Sequence, residues 1–141
     1  MKYLFDSSAI FRAIKENKIN LLIGNYTLEL ARFELGNIVW KDYFLQAKIS
    51  KDEAKMILKA IKHTLTLMEV IPIEGNEEEI LESAIQLKTT FYDASYVCLA
   101  RIKELQLITE DLHLIKKAMP VIKVSVLNDM GNKKYKFPND F

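Results

Sequence analysis

Four acidic side chains stand where a chain concerned only with stability would avoid them. Asp6 follows directly on the apolar run Tyr3-Leu4-Phe5, and Glu34 lies between Phe33 and Leu35 in an otherwise apolar helical stretch. Asp93 opens the apolar segment that runs to Ala100, and Asp111 comes three residues after Leu107-Ile108. Carboxylates brought together cannot all stay ionised without a counter-charge, because mutual repulsion raises their pKa values. A divalent cation removes that repulsion, and a ligand set of oxygens without histidine or cysteine selects a hard ion, Mg²⁺ or Mn²⁺, over zinc. Such an ion keeps waters, can orient and acidify one of them, and can neutralise charge on a phosphate, which suits hydrolysis of a phosphodiester. Each acid also has a simpler reading. Asp6, Asp93 and Asp111 can each cap a helix, and Glu34 can be one exposed position of an amphipathic helix. Three caps at one edge together with an inward glutamate is nevertheless the layout a metal site requires.

The elements that would position these acids are short apolar strands alternating with helices. Residues 2–5 read as a buried strand ending at Asp6, followed by a helix over 7–15 with Ile10, Phe11 and Ile14 on one face. Asn20 to Ile23 is a second strand candidate closed by Gly24-Asn25, and Thr27 is expected to cap a mostly buried helix containing Glu34. Ser50-Lys51-Asp52-Glu53 fits a capping box ahead of a helix reaching Met68. Val70 to Ile73 is a strand in which Pro72 demands an edge or an end. Helices over 76–88 and 92–104, a strand at 105–108, a short helix from Asp111 and a last strand over 121–126 complete the pattern. Alternation of this kind implies a parallel sheet covered on both faces, whose strand carboxyl ends form the ligand crevice. Asp6 and Asp111 belong there by position. The helix-rich block from 27 to 68 is expected to project from the sheet as a hairpin.

The totals set limits. At 141 residues, half of them apolar, the chain is expected to be a single domain over 1–141 with a polar tail from about 128. A formal charge of +1 does not advertise nucleic-acid binding, so any RNA-facing patch has to be local. The lone cysteine, Cys98, sits in an apolar run and reads as a small buried hydrophobe, pointing to a cytoplasmic location. The N-terminus lacks the long apolar core of a signal peptide, and no segment approaches the roughly 20 apolar residues of a membrane span.

Asp6-Ser7-Ser8-Ala9, Glu34-Leu35, Phe91-Tyr92-Asp93-Ala94 and Thr109-Glu110-Asp111 resemble, in order and spacing, the acidic motifs of PIN domains, and the chain length is similar to that of VapC-type toxins. The resemblance extends to about Val126. It implies a three-layer α/β/α fold with a sheet of four or five parallel strands. It also implies Asp6 and Asp93 as direct or water-mediated metal ligands, Glu34 and Asp111 completing the acid ring, and Ser8 and Thr109 supporting the acids. Glu110 competes with Asp111 for the inward position. A Mg²⁺- or Mn²⁺-dependent endoribonuclease acting on RNA follows from the resemblance, with an antitoxin protein as partner and a homodimer as assembly.

Two alternatives stay beside it: a housekeeping RNA-processing nuclease of the same fold, and a non-catalytic Mg²⁺-binding signalling or binding domain. A receiver-like signalling domain would want adjacent acids where Ser7 and Ser8 stand, and an Asp-x-Asp phosphatase is excluded because position 8 is serine. His63 reads as an exposed helix residue and His113 as at most a neighbour of the site, too far apart for a zinc centre. Trp40, Tyr43 and Phe44 offer a partner surface, with core packing expected for at least two of them. Lys133, Lys134 and Lys136, interleaved with Tyr135 and Phe137, read as a solvated tail.

Overall fold

The computed structural model describes residues 2–131; the lysine-rich tail lies outside them. Five short strands, β1 (Tyr3–Phe5), β2 (Tyr26–Leu28), β3 (Glu69–Ile71), β4 (Gln106–Ile108) and β5 (Val124–Ser125), form one parallel sheet in the order β3-β2-β1-β4-β5. Tyr3, Leu4 and Phe5 are all buried, so the central strand is apolar throughout, as a parallel strand covered on both faces must be. Leu4, Leu28, Leu107 and Val124 belong to one core, and Tyr3 and Phe5 belong to the other, following the two-residue period of a strand.

Helices α1 (Ser7–Lys15), α2 (Leu30–Trp40) and α3 (Lys51–Thr66) contribute to the core containing Phe5. The core on the opposite face is built mainly from α4 (Glu77–Leu87), α5 (Phe91–Lys103) and α6 (Leu112–Ala118). The architecture is therefore the expected three-layer α/β/α arrangement with five parallel strands. Residues Ala94 to Ala100 of α5 are buried without interruption, including Cys98, which accounts for a segment apolar on every side. Pro72 falls just past β3, an edge strand, where no partner needs its missing N–H.

Four expectations need correction. The run Asn20 to Ile23 is not a strand: Ile19–Leu21 forms a 3₁₀ turn, and Leu22 is buried beneath it. The Asn25 amide accepts from the Tyr3 backbone N–H at 3.2 Å and donates to the Leu21 carbonyl at 2.9 Å, bringing the chain alongside β1 before β2 begins. Thr27 is accordingly not a cap but a fully buried strand residue, its hydroxyl donating to the Phe5 carbonyl at 2.7 Å. Nor does the block from 27 to 68 project as a whole. Ala31, Leu35, Val39, Ile61, Leu65 and Met68 are core residues; the tip past α2, a π-helical turn over Lys41–Leu45 and the loop after it, is largely exposed, as are the first turns of α3. Trp40, Tyr43 and Phe44 sit at that tip, respectively 48%, 40% and 66% exposed, so none of the three is core. The capping box at Ser50 forms as read, with Ser50 Oγ accepting from the Glu53 N–H at 3.1 Å.

Because the Thr27 hydroxyl satisfies the carbonyl immediately before Asp6, Thr27→Val should destabilise the fold by roughly 1–3 kcal/mol, the cost of an unsatisfied buried acceptor. Urea unfolding of the two proteins measures it, and a difference within error would show that β2 does not anchor this end of β1.

Candidate active site at the carboxyl edge of the sheet

The chain leaves β1 for β2 and β3 on one side and returns through β4 and β5 on the other, so the order reverses between β1 and β4. Ligand crevices of open α/β sheets form outside the carboxyl ends of strands at such a reversal. Asp6 stands at the end of β1 and Thr109 at the end of β4, and the Asp6 N–H donates to the Ile108 carbonyl at 3.1 Å.

Asp6 is the most constrained group in the site. One carboxylate oxygen accepts from Ser8 Oγ at 2.6 Å and from the Ala9 N–H at 3.0 Å, the latter capping α1; the other accepts from the Thr109 hydroxyl. The residue is only 6% exposed, and no basic side chain among the described residues pairs with it. Burial pushes its pKa up to about 6 from 3.8, against the pull of Ser8, Thr109 and Ala9, while the charge of Glu34 adds to the rise. Ser8 and Thr109 thus both hydrogen-bond Asp6.

The remaining acids extend outward from Asp6 in series. Glu34 is half-buried on α2, and its carboxylate accepts from the Tyr96 hydroxyl at 2.7 Å and from the Ser7 hydroxyl. Burial raises its pKa, these two donors lower it, and the charge of Asp93 raises it again. Asp93 lies in the first turn of α5, whose cap is Thr90, accepting from the Asp93 N–H at 3.1 Å. The capping role considered for Asp93 therefore belongs to Thr90, and the Asp93 carboxylate lies within reach of the charge of Asp111. Burial and the charge of Asp111 raise the Asp93 pKa, while Thr89 and Lys117 lower it. Asp111 is exposed and caps α6 through the N–H groups of His113 at 2.9 Å and Leu114 at 3.3 Å.

Glu110 takes a different course. Its carboxylate pairs with Arg12 of α1 and accepts from the Leu127 N–H at 2.8 Å, so Asp111 is the acid whose charge reaches Asp93. His63 and His113 are both exposed. Two residues escaped the sequence reading. Tyr96 was absorbed into the apolar run of α5, and Ser7 was passed over in favour of Ser8. The one available signal was Tyr96 lying three residues after Asp93, on the same helical face.

The donor chemistry fits a hard divalent ion: carboxylate oxygens alone, three of the acids with pKa raised by a neighbouring acid's charge as well as by burial. The spacing is more open than the expected ring. Among the described residues no three Asp, Glu, His or Cys side chains gather closely enough to form a ready cage. The physical reason is that Asp6 and Asp111 are committed to helix caps and Glu34 to Tyr96 and Ser7. That leaves an arrangement suited to an ion held by one or two carboxylates and its own waters. A separate cavity of about 430 Å³, lined by Lys2, Tyr3, Arg101, Gln106 and Lys123, contains none of the four acids and lies at the opposite edge of the sheet.

No protein-family model matches the chain. A relative from Pyrobaculum aerophilum, named exonuclease VapC9, is 30% identical over 133 residues, covering 90% of this chain and 93% of its own. The chain belongs to the VapC-type PIN-domain family. The crystal structure of PAE2754 from the same organism superposes with a TM-score of 0.76 at 28% identity, over 91% of this chain and 85% of that one. VapBC2 from Rickettsia felis, solved bound to a promoter DNA fragment, shares the fold at a TM-score of 0.63 and 17% identity, over 89% and 98% of the two chains. In this VapC-type chain the four acids are carried by four separate segments that meet along one sheet edge. Among the described residues no helix is long and apolar enough to cross a membrane.

The raised Asp6 pKa has a sign that can be measured in the metal-free protein. A carboxyl whose folded pKa lies above its unfolded one contributes stability in its protonated form, present below pH 3.8 and lost as pH rises through about 6. The stability of wild type minus that of Asp6→Asn should therefore fall by up to about 3 kcal/mol between pH 4 and pH 7. Urea unfolding across that window tests it, and a difference independent of pH would mean the Asp6 carboxylate is adequately solvated or paired.

Proposed function

We propose that this chain is a divalent-metal-dependent endoribonuclease, the toxin of a toxin–antitoxin pair. The reading is carried by Asp6, a buried carboxylate at the switch point of the sheet without a basic partner among the described residues, with the charges of Glu34, Asp93 and Asp111 coupled outward from it. Burying a charge without compensation is costly, and stability alone gives no reason to keep it. Asp6 and Asp93 would hold Mg²⁺ or Mn²⁺ directly or through water, and Glu34 and Asp111 would complete the acid set. When bound, such an ion supplies the missing positive charge, acidifies water and offsets charge on a phosphate. Ser8 and Thr109 fix the Asp6 carboxylate so that it faces the site in one orientation.

RNA as substrate is supported by a local basic stripe. Lys51, Lys55, Lys59 and Lys62 recur at helical spacing along α3, all exposed, and none forms an ion pair among the described residues. Such a row matches the spaced negative charges of a nucleic-acid backbone. The 30%-identical relative is named an exonuclease. Here the acid set ends at the exposed Asp111 on an open edge, which favours access by the interior of a strand. The antitoxin partner is supported by the complexes of the structural neighbours, including a toxin–antitoxin complex from Klebsiella pneumoniae. The apolar tip where Trp40 and Phe44 stack at 5.4 Å is the surface proposed for it. Leu81 and Ile85, exposed on α4, are proposed as the contact for a second copy of the chain.

Purified protein should cut a circular single-stranded RNA with Mn²⁺ or Mg²⁺ and stop on chelation. Asp93→Asn should fold normally and cut at least about a hundredfold more slowly, beyond the usual effect of losing an outer-shell partner. Cutting that requires a free end would move the reading to an exonuclease, and chelator-resistant cutting would remove the metal site.

A further inference from the structure

Among the described residues, Tyr96 is the one large buried side chain whose polar atom reaches the acid set. Its residue is 1% exposed, and its ring belongs to the core beneath α5. Its hydroxyl lies at the junction of three elements. It donates to Glu34 Oε1 on α2 at 2.7 Å, feels the backbone N–H of Ser7 at the start of α1, which lowers its pKa, and is itself carried by α5 one turn after Asp93. A phenol has a single proton. That proton is directed to Glu34. The ring is locked by packing on all sides, so the donor is fixed in space, whereas Glu34 is long, half-buried and reaches the site from a separate helix. Burial and the charges of Glu34 and Asp6 raise the phenol pKa, keeping it protonated and able to donate.

We infer that Tyr96 is a positioning residue, whose buried hydroxyl holds the Glu34 carboxylate in the acid set with Oε1 tied down and Oε2 turned to the site. This rests on the metal-nuclease reading only for its effect on activity; the placement of Glu34 stands apart from it. Ser7 contributes a second hydrogen bond to Glu34, but from a small side chain with rotational freedom in a partly exposed position. The rigid donor is Tyr96.

Tyr96→Phe removes one oxygen and keeps the packing. Crystal structures of the variant should show Glu34 departed from its wild-type position. Mn²⁺ binding, followed by calorimetry well below the melting temperature, should weaken roughly tenfold, the scale of one hydrogen bond to a charged group. The kcat for RNA cleavage should fall by a similar factor with KM unchanged, because the substrate track is untouched. A merely structural role would lower the melting temperature and leave Mn²⁺ affinity and the kcat-against-KM split alone. Ser7→Ala, which retains the backbone N–H and Tyr96, should leave Glu34 in place. If Glu34 swings away in Ser7→Ala, or stays put in Tyr96→Phe with wild-type Mn²⁺ affinity, the assignment is overturned. If wild type neither binds Mn²⁺ nor cuts RNA while Glu34 still departs in Tyr96→Phe, the positioning role holds and the nuclease reading fails.

Discussion

The structure turns on a carboxylate buried at the point where the strand order reverses. Asp6 ends the central strand, is almost removed from solvent, and meets no cationic side chain among the described residues. Water would solvate such a group far better than the interior does, so the fold surrounds it with donors: two hydroxyls and a helix N–H. Those donors come from both sides of the reversal, Ser8 and Ala9 after β1 and Thr109 after β4. The same hydrogen bonds that make Asp6 tolerable therefore also stitch the two halves of the sheet together at their carboxyl edge. The donors moderate the penalty without removing it, since burial still leaves the group titrating near 6.

Much of the surrounding geometry follows from serving that group. The Ser8 oxygen that donates to Asp6 also accepts from the Glu110 N–H at 2.9 Å, and the Thr109 oxygen accepts from the Asp111 N–H at 3.1 Å. The loop after β4 is thereby shaped by the hydroxyls that bind Asp6. Glu110 then fastens the outer side of that loop to Arg12 and to the chain at Leu127. Asp111 is left to cap α6 while placing its charge within reach of Asp93. Capping and site-building are not competing explanations for Asp6 and Asp111. A helix N-terminus favours negative charge, and two such termini directed at one edge help collect the carboxylates there.

Legibility in the sequence tracked how local the determining physics was. The strand before Asp6, the capping box at Ser50 and the buried α5 were readable because apolar runs and cap residues act over a few positions. The strand β2 was misplaced because Leu21-Leu22-Ile23 looks more strand-like than Tyr26-Thr27-Leu28; what decides between them is the Asn25 amide binding Tyr3, a contact across 22 residues. The aromatic tip was misjudged for a similar reason, since helical spacing at Trp40, Tyr43 and Phe44 carries no information on whether anything packs against that turn. The order of the acids could be read because each follows or opens an element. Which of Glu110 and Asp111 faces Asp93 could not, because Arg12 decides it from the other end of the chain. Tyr96 stayed hidden because a tyrosine in an apolar helix is ordinarily core, and only the arrival of α2 gives its hydroxyl a task.

The central claim is that Asp6, Glu34, Asp93 and Asp111 form one electrostatic unit whose excess negative charge is completed by a hard divalent ion. A crystal soaked in Mn²⁺ and measured for anomalous scattering addresses it directly. The account predicts a peak at the carboxyl edge, within ligand or water-bridged distance of Asp6 and Asp93. Mn²⁺ density confined to other surfaces, with the four acids unchanged and undecorated, would contradict it.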